Sequence, residues 1–119
     1  MLAIREEQMS ALRQGMFKQF EYRMIVHLTG NFPNETKDIS EDDLRVFIQK
    51  GIEQAEQYQI TLEEDVRRYL EFRVMYGHDF DTNPNTAWAG EILHTKNLYG
   101  TTKMDRIDER ELEIIRGLV

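Results

Sequence analysis

Apolar residues recur along this chain with the three-and-four spacing of helix almost from end to end. Met9, Leu12, Met16, Phe20, Met24 and Leu28 draw one continuous stripe, the pattern of a helix with a single inward face. Phe17 and Ile25 widen the stripe, while Arg13, Lys18, Glu21 and Arg23 fall mostly off it. The spacing predicts a long first helix from about Arg5 to Gly30, weakened at Gly15 and stopped by Gly30-Asn31 and Pro33. A second helix is predicted to open at Ser40, with Asp43 three residues on and Glu41, Asp42 and Asp43 facing the positive end of its dipole. Its inward face is Leu44, Phe47, Ile48, Ile52 and Ala55.

Thr61 with Glu64 reads as a complete capping box for a third helix carrying Leu62, Val66, Tyr69, Leu70, Phe72, Val74 and Met75. Gly77 ends that helix, and His78 to Thr82 form a loop. Asn83 before Pro84 predicts an N-cap followed by proline at the first helical position. The short fourth helix that follows, to about His94, is expected to bury Trp88, Ile92 and Leu93. After a turn from Asn97 to Gly100, Thr102 and Asp105 are expected to cap a last helix docked by Ile107, Ile114, Ile115 and Leu118. The whole is an all-α reading: residues 1–119 as one compact bundle of about five helices, with a long N-terminal helix.

Composition sharpens this picture in two ways. Lys and Arg total 15 against 22 Asp and Glu, a net charge of −7 at pH 7. Such a surface disfavours nucleic acid and anionic membrane and suits a basic protein partner. No cysteine is present, so disulfides, thiolate catalysis and thiolate zinc sites are excluded, and a reducing cytoplasm is the expected location. The first residues turn charged after Ile4, unlike a signal peptide, and no apolar run reaches membrane-spanning length.

Candidate chemistry is sparse. Asp79, Asp81, Asn83 and Asn85 alternate as oxygen ligands do in a calcium loop, but Pro84 stands where that loop requires glycine and Gly90 where it requires glutamate. His27, His78 and His94 have no helical His partner at the spacing a metal needs. His78 with Asp79 and Asp81 is the best metal candidate, and it lacks a nearby serine or cysteine for nucleophilic catalysis. The acidic groups Glu6-Glu7, Glu41-Asp42-Asp43 and Glu63-Glu64-Asp65 all fall at helix starts, where dipole stabilisation accounts for them. No glycine-rich phosphate loop exists. The expectation is a protein that is not an enzyme and carries no cofactor. Tyr76, His78, Asp79, Phe80, Asp81 and Tyr99, at helix ends and in loops, are the expected partner-docking residues.

The middle of the chain carries a resemblance. Ala55-Glu56-Gln57-Tyr58-Gln59-Ile60-Thr61-Leu62-Glu63-Glu64-Asp65-Val66, then Tyr69-Leu70, Gly77-His78-Asp79-Phe80-Asp81 and Trp88-Ala89-Gly90-Glu91-Ile92-Leu93, resemble a family of small helical bacterial proteins encoded beside type VI secretion effector and spike genes. Members of that family carry Tyr-Gly-Ile where this chain has Tyr58-Gln59-Ile60, and Gly-Pro where it has Gly77-His78. The resemblance implies a genomic neighbourhood and no catalytic residues. It implies an accessory adaptor or chaperone for an effector, with an immunity protein against a cognate toxin as the alternative. A small metal-binding protein is the third reading, and a homodimer is left open because the first helix is long enough to overhang a small bundle.

Overall fold

A computed structural model describes the backbone of residues 6–117 and the side chains of residues 15–117. Arg5 and Leu118, and the side chains of Glu6, Glu7, Met9, Leu12 and Arg13, lie outside the described residues. Among the described residues there are six α-helices and one 3-10 turn, and no strand. These are α1 (Glu6–Asn31), α2 (Pro33–Thr36), α3 (Glu41–Gln57), α4 (Glu63–Tyr76), α5 (Ala87–Leu93, entered through the 3-10 turn Pro84–Thr86) and α6 (Gly100–Ile115). The additional element relative to the sequence reading is the single turn α2, which proline starts and Phe32 anchors. The molecule measures 54 × 38 × 19 Å. A thickness of 19 Å holds two layers of helix, each helix about 10 Å across.

Among the described side chains, the inward stripe of α1 is buried at Phe20, Met24, Ile25 and Leu28. Glu21, expected on the outer face, is itself buried and accepts a hydrogen bond from Gln49 of α3 at 2.9 Å. It lies at the rim of the stripe, where α3 covers it. Leu44, Ile48 and Ala55 of α3 and Val66, Tyr69, Leu70 and Phe72 of α4 complete the central layer, with Phe80, Leu93, Met104 and Ile107 closing it. Ser40 caps α3 as its sequence predicts, its hydroxyl accepting from the Asp43 amide at 3.1 Å. Asn83 likewise accepts from the Asn85 amide ahead of α5.

Two predicted caps do not form. The Thr61 box is displaced because α4 begins at Glu63 with Leu62 at the N-cap position, and no side chain caps it. The cause is the turn before it. The Ile60 amide bonds to Ala55 O and the Gln59 amide to Glu56 O, the paired bonds of a Schellman motif. That motif drives Ile60 into the core and leaves Thr61 in solvent, one residue too early. Glu64 points outward, and Asp65, at the third helical position, turns to Thr101 instead. At the last helix the start is Gly100, with Tyr99 as an N-cap that makes no side-chain bond, so Thr102 lies inside the helix. Of the residues expected to dock α6, Ile107 is buried but Ile114 and Ile115 are exposed, and Lys103 and Met104 take their place.

Gln59 sits at φ +62°, a conformation that costs a side chain roughly 1 kcal/mol and glycine nothing. Gln59→Gly is therefore expected to stabilise the fold by up to about 1 kcal/mol, less whatever the contact from Lys103 Nζ to Gln59 Oε1 at 3.3 Å contributes. A urea titration reads this directly, and a destabilised variant would show that the Lys103 contact outweighs the backbone term.

Candidate functional site

The six residues expected to form one docking patch are separated by the fold. Phe80 is fully buried against Tyr69, with ring centroids 5.0 Å apart, and Asp81 is buried beside it. The turn that opens with the Phe80 amide bonding to Gly77 O at 3.2 Å sends that ring inward. Tyr76 donates to Glu111 near the end of α6 at 2.6 Å, whereas Tyr99, the most exposed large hydrophobic of the described residues, precedes the first residue of the same helix. These two tyrosines therefore mark opposite ends of a span of about 16 Å along α6. His78 stays exposed, and Asp79 accepts from the Asn83 side-chain amide at 3.3 Å. Among the described residues, no three His, Asp or Glu side chains converge as metal ligands would, and no helix is long and apolar enough to cross a membrane.

What Asp81 does instead is internal. The Tyr58 hydroxyl donates to Asp81 Oδ2 at 2.6 Å, and His94 Nε2 lies 3.4 Å from the same hydroxyl. His94 Nδ1 faces the Gly90 carbonyl at 2.7 Å, which places the proton on Nδ1 in the neutral ring. Burial first, then the bond and charge of Asp81, hold the Tyr58 phenol well above its ordinary value of 10. The folded chain thus keeps this proton more tightly than the unfolded chain. Its contribution to stability is complete below about pH 10 and is lost as the pH rises further. Melting temperature is expected to fall above about pH 10, and less steeply in Tyr58→Phe than in the native chain. Tyr69 and Tyr76 shift the same way, Tyr76 to about 12. A Tyr58→Phe slope unchanged from native would remove Tyr58 from this account.

Two surfaces are left with chemistry facing outward. On α1, Met16 is 64% exposed and Phe17 36% exposed, although both continue the inward stripe. They overhang the place where α3 and α4 stop covering the helix, and with Phe20, Ile52 and Val66 they line an open apolar groove. The second surface is a cleft between the α2–α3 segment and the end of α4. It holds about 420 Å³ and has Arg73 among its lining residues. Arg73 is 4% exposed, stacks over Phe47 with 4.3 Å from its guanidinium carbon to the ring centroid, and donates from Nη1 to Phe47 O. Burial depresses this guanidinium below its ordinary value, against the opposing influence of Tyr69 and Asp81.

Arg73 escaped the sequence reading although the signal was present. It stands seven residues after Val66, four after Tyr69 and three after Leu70, on the same inward stripe. Lys103 sits in the same way, one turn before Ile107. The hydrogen-bond contact of His27 Nε2 with a Glu71 carboxylate oxygen at 2.7 Å joins α1 to α4 and has no counterpart in local spacing. Compared with family models, with curated proteins and with solved structures, the chain matches none of them.

Proposed function

We propose that this chain is a non-enzymatic protein-binding module that works in the cytoplasm as an accessory adaptor or chaperone for a type VI secretion effector. The observation that supports a binding role is the exposure of Met16 and Phe17 on the α1 stripe. Met16 and Phe17 keep the inward register of Phe20 and Met24, yet they face solvent at the groove they share with Ile52 and Val66. Apolar surface held in water costs about 25 cal/mol per Å² relative to covering it, and contiguous patches of this kind mark contact sites. The acidic balance of the chain, −7 overall, favours a partner of opposite charge. The effector as partner rests on the resemblance carried by residues 55–93.

The test is co-expression of the tagged chain with the products of its neighbouring genes, followed by affinity capture at cytoplasmic salt. One stoichiometric effector or spike partner is expected, and Met16→Glu with Phe17→Glu should abolish its capture without lowering the melting temperature. Protection of cells against that partner would replace the adaptor role by an immunity role. Capture of none of these products would overturn the reading.

A further inference from the structure

The cleft at Arg73 presents a charge without a counter-charge. Arg73 is more than nine-tenths buried, and no carboxylate of the described residues lies within ion-pair distance of it. Of its guanidinium donors, Nη1 bonds to Phe47 O, and buried Nε has no acceptor at all. Buried arginine is ordinarily paired, because a desolvated cation with unmet donors is costly. Stacking on Phe47 offsets part of that cost. It does not supply an acceptor for Nε. The donors left without a partner are on the Nε–Nη2 side, Nε itself being buried; that is the side a carboxylate can grip with both oxygens once the side chain yields slightly towards the cleft.

The surroundings narrow the ligand further. Leu44, Phe47 and Val74 give the cleft an apolar wall beside the cation. Lys50 adds a positive charge among its exposed residues, but Glu35 and Asp43 line it as well. Those two carboxylates repel a multiply charged group such as a phosphate ester more strongly than a group with a single negative charge. A volume of about 420 Å³ is within the range of small-ligand sites.

We propose that this cleft binds a carboxylate bearing a short apolar chain, the head paired with Arg73 and the tail lying on Leu44, Phe47 and Val74. The carboxylate belongs either to a free small acid or to the C-terminus of a peptide with an apolar last residue. The site is separate from the α1 groove, and its occupancy does not depend on the adaptor reading.

Hexanoate is the first probe, followed by amide resonances of the isotope-labelled full chain, with hexanamide as the uncharged control of equal shape. Hexanoate is expected to shift the amides of Phe47, Arg73, Val74 and His78 saturably, and hexanamide to shift them at least about tenfold more weakly, the factor that 1.4 kcal/mol represents. Val46, half-exposed on the cleft wall, offers a variant that spares the core. Val46→Glu places a carboxylate at the site and should remove the hexanoate response while the melting temperature holds. Arg73→Met should abolish the response too, and Val46→Glu carries the test if that variant does not fold. A tripeptide ending in leucine, free or amidated, separates the two sources: tighter binding of the free peptide than of hexanoate assigns the site to a chain terminus, the reverse to a small acid. Equal responses to hexanoate and hexanamide, or none to any of these probes, would overturn the proposal.

Discussion

Gly100→Ala is expected to cost the fold about 3 kcal/mol, at the upper end of what overpacking a core does. A methyl group there would collide with Gln59 O and stand 2.8 Å from Ile60 Cα and 2.9 Å from Gln59 C. All three are backbone atoms of the Schellman turn, and that turn is itself pinned by bonds to Ala55 and Glu56. It cannot retreat without lifting Ile60 out of the core. The contrast is Gly51→Ala, where the added methyl meets the end of Leu70 and the side chain of Arg73. Side-chain ends can rotate away, so a smaller loss is expected there. For a chain of this size about 3 kcal/mol corresponds to a fall of roughly 10 °C in melting temperature. A Gly100→Ala protein melting within about 2 °C of native would mean that α6 does not sit down on the α3–α4 turn.

That seat explains which parts of the fold were legible in the sequence. Ser40, Gly77 and the Asn83-Pro84 pair were readable because each acts on its own neighbours: Ser40 on the Asp43 amide, Asn83 on the Asn85 amide, Gly77 through its φ of +108°. The box predicted at Thr61 fails because the Schellman turn before it moves the helix start to Glu63, and the box at Thr102 because α6 already begins at Gly100. The acidic side chains near both helix starts, Asp65 and Asp105, are drawn to Arg68, and Thr101 also bonds to Asp65. Polar residues that resemble caps thus join α4 to α6. Of the expected docking residues, Phe80 and Asp81 are buried for a reason that is likewise not local. Asp79, Asp81 and Asn83 mark a loop correctly, but only the course of that loop past Tyr58 and Tyr69 decides that Phe80 and Asp81 turn inward. Arg73 lay on a visible apolar stripe, and a charge on such a stripe is the local irregularity that repays attention. The exposure of Met16 and Phe17 is different in kind: periodicity shows that they share a face with Phe20, but not how far α3 covers that face.

Arg68→Met is expected to cost nearly as much as Gly100→Ala, about 3 kcal/mol, and for an electrostatic reason. The Arg68 guanidinium meets three carboxylates at once: Nη1 with Asp65 at 3.0 Å, Nη2 with Asp105 at 2.8 Å, and Nε and Nη2 with Asp108 at 3.1 and 2.5 Å. Burial opposes its charge, but the bonds from Asp108, Asp105 and Asp65 outweigh that and hold the guanidinium proton more tightly than usual. Asp65 is 4% exposed and, among the described residues, has Thr101 as its one further side-chain donor. Removing Arg68 would leave that buried carboxylate short of a counter-charge between two others, and orphaning one member of a buried pair costs about 3–5 kcal/mol. The lower end applies because Asp105 and Asp108 are about half in solvent. Arg68→Lys should recover less than half of the loss, since an ammonium cannot reach three acceptors with a planar fork. The decisive comparison is the double variant Arg68→Met with Asp65→Asn. If the cost is the stranded charge, the double variant should be more stable than Arg68→Met alone, an outcome that packing loss cannot produce. If both melt alike, Met104 and Ile107 hold α6 in place and the ion cluster is incidental to it.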